Sequence, residues 1–312
     1  MTAGRVLVDG PPFPLDAVLE ALDGSGLAAE IRPRPWEGDD VRGLLAWEPL
    51  REGDFVRLPR VEVVATCSVG FDHIDLKAAA RRGIWVCNVP DYCTHEVAET
   101  ALALVLGLLR GIVFLDRHVR AGGWDERAAG PLRRVDGTKL GLVGFGRIGR
   151  AVAQRAIGAG LEVWATDPYV PAAELEVRGV RAATLDELLA GCDVVSLHAP
   201  LTAGTAGLIG ERELALMRPG SFLVNTARAG ILEWDAFLRA LASGHLAGGA
   251  VDVLPVEPPT SGEPAPDLPN LVVTPHAAWY SPAAEAAVFR RATLAVRAVL
   301  EGREPEHAVV RP

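Results

Sequence analysis

Short apolar runs rich in β-branched residues recur along the chain, at 5–9, 41–47, 61–67 and 84–88. Helix-like segments such as Leu15–Leu22 and Leu76–Arg82 separate them, a rhythm that predicts a parallel α/β sheet. Pro90–Thr94 then reads as a linker. Apolar positions at three- and four-residue steps (Val97, Ala98, Ala101, Leu102, Val105, Leu108, Leu109, Ile112) predict one helix over His95–Arg120, about 26 residues and roughly 39 Å long, enough to cross between domains. Ala121–Asp136, with Gly122, Gly123, Gly130 and Pro131, reads as a loop that is either a linker or an arm against a second subunit, and Trp124 in its polar setting favours the arm. From 139 the strand pattern resumes at 140–144, 161–166, 193–197, 221–225, 248–253 and 271–274, with helical patterns around 147–159, 184–190, 211–217 and 233–243. That count predicts a doubly wound sheet of six or more strands. Pro255–Pro269 reads as a long loop, Ser281–Gly302 as a final amphipathic helix and 303–312 as a polar tail.

The second half is organised around Leu140–Arg150 (LGLVGFGRIGR), where an apolar strand meets Gly144, Gly146 and Gly149 and then a helix pattern. Gly144 permits a tight turn, Gly146 lets backbone approach a pyrophosphate, and Gly149 allows close helix–strand packing with helix N–H groups facing the phosphates. Asp167 follows 23 positions after Gly144, at the end of the next strand pattern. An acid there grips a ribose 2′-OH; the same residue also begins an Asp-Pro turn. Asp167, His198, Arg228, Asp252 and His276 all fall at or just after expected strand ends, where ligands of such sheets gather.

Composition narrows the partners. A net charge of −9 over 312 residues argues against a nucleic-acid surface, and the Arg133–Arg134 pair reads as a solvated cluster beside a loop. The four cysteines, Cys67, Cys87, Cys93 and Cys192, form no CxxC pair, so neither a metal site nor a disulfide framework is expected. The N-terminus carries no signal-peptide pattern, and Val97–Val113 is interrupted by Glu99, Gly107, Arg110 and Gly111, so no membrane span is expected and a cytoplasmic location is the default.

Several strings match one family together: CSVGFDHIDL (67–76), CNVP (87–90), HEVAET (95–100), LGLVGFGRIGR (140–150), HAPLTAGT (198–205), LVNTARAGIL (223–232), AVDVLPVEPP (250–259) and TPHAAW (274–279). In order and spacing the chain resembles the NAD-dependent D-2-hydroxyacid dehydrogenases over residues 60–300. The resemblance implies two Rossmann-like α/β domains: a doubly wound NAD-binding domain (94–282) inserted into a smaller flavodoxin-like substrate domain (1–93 and 283–312). It further implies a homodimer, a 2-keto or 2-hydroxy acid substrate, and roles for three residues. Arg228 holds the substrate carboxylate, His276 is the acid/base and Glu257 orients it. Thr100, Arg147, Ile148, Pro200, Thr205, Thr226, Ala227 and Asp252 are placed around the dinucleotide, Asp252 near the carboxamide, with a strand-end turn acid as its alternative reading. His198 shapes the cofactor pocket. Val69 and Gly70 match a loop whose amides meet the substrate carboxylate, and Trp279 either walls the substrate pocket or packs in the core.

The residue chemistry agrees. Ketone reduction needs a proton donor for the growing alkoxide, and a carboxylate bonded to an imidazole favours its protonated form. A guanidinium suits a carboxylate better than an ammonium does. NAD is expected over NADP because Asp167 repels a 2′-phosphate and Pro168-Tyr169 offers no arginine to hold one. Ala229 departs from the family's more usual glycine, Glu257 argues against the formate dehydrogenase branch, and Val69 against a phosphite dehydrogenase. No appended regulatory domain is expected after the last helix. TPHAAWYS and DPY are also similar to the C-terminal-binding-protein corepressors, so a dinucleotide-dependent dimeric scaffold is the alternative from a different functional class.

Overall fold

The computed structural model describes residues 4–9, 15–260 and 266–312. They form two compact α/β units, one from residues up to Cys93 and from Tyr280 onward, the other spanning Thr94–Trp279. The return to the first unit thus falls three residues ahead of residue 283, where the sequence reading places it.

The first unit begins with β1 (Arg5–Val8), α1 (Leu15–Leu22), β2 (Ala28–Ile31), β3 (Val41–Ala46), α2 (Glu52–Arg57), β4 (Val63–Thr66), α3 (Leu76–Arg81) and β5 (Trp85–Cys87). The second contains α4 (Thr94–Leu109), α5 (Ile112–Arg120), β6 (Lys139–Val143), α6 (Arg147–Gly158), β7 (Glu162–Thr166), α7 (Ala172–Glu176), β8 (Arg181–Ala182), α8 (Leu185–Gly191) and β9 (Val194–Leu197). It continues through α9 (Glu211–Leu216), β10 (Ser221–Asn225), α10 (Trp234–Ala242), β11 (Leu246–Val251) and β12 (Leu271–Val273). The chain then closes in the first unit with α11 (Pro282–Leu300) and β13 (Ala308–Val310).

In the first unit the strand order is β13-β5-β4-β3-β1-β2, parallel except for β13. Helix α11 starts at Ser281, whose hydroxyl accepts from the Ala284 amide (3.0 Å), with Pro282 in the first turn where its missing N–H costs nothing. Its buried stripe of Val288, Phe289, Ala292, Ala295, Val296 and Val299 packs on the sheet. Close approach depends on Gly43, where a Cβ would lie 2.5 Å from Val296 Cγ1.

The sequence reading of 303–312 as a polar tail is overturned by β13, which pairs antiparallel with β5 and aligns Ala308 with Cys87 and Val310 with Val86. Three residues carry too little pattern to announce a strand. The four cysteines are buried free thiols; burial pushes Cys67 far above its ordinary range and Cys87 and Cys192 up to about 12.

In the second unit the order is β12-β11-β10-β9-β6-β7-β8, all parallel, with the winding direction reversing between β6 and β9. Helix α4 buries Val97, Ala98, Ala101, Val105, Leu108 and Leu109 against α6 and the central strands. The single helix expected over His95–Arg120 is in fact two, α4 and α5, meeting at a 62° bend. Gly111 is the cause: its backbone is left-handed (φ 60°), and a Cβ there would lie 2.7 Å from Ala129 and 2.9 Å from Leu132. The apolar periodicity runs straight through that break. Among the described residues no single helix is long and apolar enough to cross a membrane.

Arg133 is not a solvated loop charge either. It pairs with Asp193 (2.6 Å), donates to the Gly220 carbonyl and so ties the 121–136 segment to the sheet.

Candidate active site

The carboxyl ends of the second unit's parallel strands lie along one edge, and nearly all the expected residues of this unit occupy it. At the reversal point, β6 ends in Gly144, whose φ of 99° favours glycine and where a Cβ would stand 2.8 Å from the backbone of His198 and Ala199. Gly149 is equally confined, its Cβ position lying 2.4 Å from the Gly144 carbonyl oxygen. Gly146 differs, because no atom lies within 4 Å of the position of its Cβ. It caps the twelve-residue α6, whose first-turn amides have no carbonyl within the helix to bond, and the space beside it is open. A dinucleotide pyrophosphate fits that space: two glycines are required by packing and the third by the ligand.

Asp167 follows β7, and both its oxygens are engaged. One accepts from the Phe145 amide inside the glycine turn (2.8 Å), the other from the Tyr169 amide (2.9 Å). The acid therefore braces the turn. His198 follows β9, its Nε2 2.9 Å from the Ser196 hydroxyl, and burial pushes its pKa down to about 4. A neutral imidazole at neutral pH shapes a pocket rather than exchanging protons. In the next loop Thr205 donates to the Pro200 carbonyl and accepts from the Thr202 amide, holding that turn closed. The Thr226 hydroxyl is buried and has no hydrogen-bond partner among the described residues.

We expect Gly144→Ala to be severe locally. A methyl group would meet backbone that has no room to move, and the left-handed conformation alone costs a non-glycine residue about 1–3 kcal/mol. A lowered melting temperature together with at least a roughly tenfold weaker NADH affinity, read by fluorescence titration, is the expected result. NADH binding within about twofold of wild type would show that the turn does not hold the phosphates.

Beyond β10, β11 and β12 lie Arg228, Glu257 and His276. His276 Nδ1 is 2.6 Å from Glu257 Oε2, and Glu257 Oε1 accepts from the Leu254 amide at 2.6 Å. Burial raises the Glu257 carboxyl, but the bonds from His276 and Leu254 and the nearby charges of His276 and Arg228 outweigh it, leaving it below its ordinary value. A depressed carboxyl contributes stability that is present above its ordinary value of 4.5 and is lost as the pH falls through the lowered folded value. Glu257 is thus ionised throughout the neutral range. The Arg228 charge acts on the same carboxylate.

His276 sits in the left-handed region (φ 51°), and its side chain is 44% exposed. Asp252 is 1% exposed and binds the segment that carries His276. Its Oδ1 accepts from the Thr274 hydroxyl (2.5 Å) and the Ala277 amide (2.9 Å), and its Oδ2 from the Ala278 amide (2.9 Å). Thr100, on α4, donates to the Ala278 carbonyl (3.4 Å) and reaches the same segment. Both residues, assigned to the dinucleotide by resemblance, are thus engaged with the His276 loop, in line with the turn-acid alternative for Asp252.

Asn225, which the sequence marks only as a strand end and not as a site residue, plays a similar part beside Arg228. It is 1% exposed, accepts from the Ala227 amide (3.0 Å) and donates to the Arg228 carbonyl (2.9 Å). A polar residue closing the apolar strand SFLVN is the signal that could have marked it. Trp279 is half-buried. Val69 and Gly70 belong to the first unit, after β4, in a loop tied by Ser68 to the Gly70 carbonyl (2.6 Å) and by Asn88 to the Val69 carbonyl (2.6 Å). Among the described residues no cluster of side chains suits a metal ion.

Residues 102–278 match the family model for the D-isomer specific 2-hydroxyacid dehydrogenase, NAD binding domain. The D-3-phosphoglycerate dehydrogenase of Mycobacterium tuberculosis is 37% identical over 279 residues, which cover 85% of this chain and 52% of that protein. The chain spans about half the length of these mycobacterial relatives. Glyoxylate reductase of Thermococcus litoralis is 40% identical over 225 residues, 70% of this chain and 67% of the relative. Among solved structures, D-lactate dehydrogenase from Aquifex aeolicus complexed with NAD and lactic acid superposes with a TM-score of 0.88 at 28% identity, covering 99% of this chain and all of that one.

Proposed function

This chain belongs to the D-isomer specific 2-hydroxyacid dehydrogenases, and we propose that it interconverts a 2-keto acid and the corresponding D-2-hydroxy acid using NAD(H). The observation that carries this reading is the 2.6 Å His276–Glu257 contact beside the Arg228 charge, on the same sheet edge as the glycine turn. The cofactor, when bound, gives a hydride to the ketone carbon or takes it from the alcohol. His276 supplies the proton to the ketone oxygen and receives it in the reverse direction, while Glu257 keeps the ring oriented through the Nδ1 contact. Arg228 holds the substrate carboxylate with two parallel hydrogen bonds.

Gly144, Gly146, Gly149, Arg147, Ile148 and Asp167 hold the dinucleotide, and Asp167 followed by Pro168 and Tyr169 supports NAD over NADP. A homodimer is supported by Trp124, which is 90% exposed in the arm-like segment after α5, and by α5 itself, on which no residue is fully buried.

The test is oxidation of NADH, followed by its absorbance, with a panel of 2-keto acids, and NADPH in parallel. Turnover of at least one keto acid with NADH preferred by about tenfold or more is expected. No turnover on any of them, with NADH-dependent capture of a peptide partner, would replace the enzyme by the scaffold reading suggested by the TPHAAWYS and DPY strings.

A further inference from the structure

Two buried polar side chains stand side by side at the ends of neighbouring strands, and each is spent on the backbone of a different loop. Asn225 closes β10 and Asp252 follows β11; the Asp252 amide donates to the Asn225 carbonyl (2.9 Å), so the two are fixed to one another. The Asn225 side chain brackets Arg228, accepting from the residue before it and donating to its own carbonyl. That carbonyl also receives the Ile231 amide, which opens the short 3₁₀ turn beyond. Asp252 brackets His276 in the same manner: its carboxylate takes Thr274 on one side and Ala277 and Ala278 on the other, and its backbone carbonyl accepts from the His276 amide (2.9 Å). The left-handed backbone at His276 is a conformation that persists only where its surroundings hold it.

We infer that Asn225 and Asp252 are separate positioning residues: Asn225 sets the guanidinium that binds the substrate carboxylate, and Asp252 sets the imidazole that moves the proton. The inference rests on the roles given above to Arg228 and His276. Neither side chain needs to touch substrate, because each is at most 1% exposed and acts through the loop it holds. The division has a kinetic signature. Displacing Arg228 weakens an interaction made in ground and transition states alike, which appears in KM, whereas displacing His276 removes proton transfer, which appears in kcat.

The experiment uses the whole chain with the best keto acid of the panel, NADH fluorescence titration, and thermal melts as a folding control. Asn225→Ala should raise KM by about 10- to 50-fold and leave kcat within about threefold; Asp252→Asn should lower kcat by about 10- to 50-fold and leave KM within about threefold, with NADH affinity unchanged in both. Thr274→Val removes one of the Asp252 bonds without touching a charge and should move kcat in the same direction by a few-fold, so the effect stays measurable if Asp252→Asn folds poorly. A ketone of matched size lacking the carboxylate should be indifferent to Asn225→Ala and sensitive to Asp252→Asn, a contrast that general loosening does not produce. Equal losses of kcat and KM effects in both variants, or a raised NADH dissociation constant as the main consequence of Asp252→Asn, would overturn the inference while leaving the enzyme reading intact. A wild-type chain inactive on every keto acid would instead remove the reading on which it rests.

Discussion

Replacing His276 by asparagine is expected to cut turnover by about three orders of magnitude, within the 10²- to 10⁴-fold range for loss of a general acid–base group, while NADH affinity stays near wild type. Asparagine is the informative substitution because His276 occupies a left-handed backbone conformation (φ 51°) that asparagine tolerates and alanine resists. The loop held by Asp252 and Thr100 therefore keeps its shape, and the measurement reports the missing imidazole rather than a displaced backbone. The ring is 44% exposed and its contact with Glu257 is charge-assisted, so little of the fold depends on it and the melting temperature should hardly move. Steady-state rates and NADH titration on the same preparation decide the matter. Turnover within about threefold of wild type would remove His276 from the chemistry.

Most of the sheet edge was legible along the chain because each buried parallel strand announces itself as an apolar run, and the first polar residue after the run marks its carboxyl end. Asp167, His198 and Asp252 each immediately follow strands β7, β9 and β11. The glycine turn was legible for a related reason: three glycines at fixed spacing are hard to account for except by a backbone that something approaches. What escaped was set by neighbours distant in sequence. Asp252 engages a segment that begins 22 residues later, and nothing in its local pattern distinguishes an acid offered to a ligand from one enclosed by amides. Asn225 looked like the polar end of a strand, yet its partners lie within the next three residues and its burial comes from the packing of the sheet. The break at Gly111 was hidden because the apolar stripe of α4 continues into α5, while the left-handed backbone at Gly111 and the lack of room for a Cβ beside Ala129 and Leu132 show only in three dimensions. Glu257 sits in a proline-rich loop where local pattern predicts a solvated side chain; its pairing with His276, 19 residues on, was suggested by chemistry and family resemblance rather than by spacing.

Arg228→Gln should lower kcat/KM for a 2-keto acid by about 10³-fold, because two charge-assisted hydrogen bonds to a carboxylate, each worth about 1.5–3 kcal/mol, are lost together. Lysine in the same place keeps the charge but presents a point donor instead of a planar fork, so Arg228→Lys should recover only part of that loss. Both changes also act on Glu257, one of whose lowering influences is the Arg228 charge. Removing the charge lets that carboxyl drift back toward its ordinary value, whereas lysine largely preserves the field. The glutamine variant should therefore lose activity at a higher pH than wild type when the assay is taken into the acid range, and the lysine variant should not. Free guanidinium added to the glutamine variant offers a further check, since a cation that fills the vacated space restores carboxylate binding without restoring the covalent tether. A keto-acid kcat/KM that falls no more than that of a carboxylate-free ketone would mean that Arg228 does not hold the carboxylate.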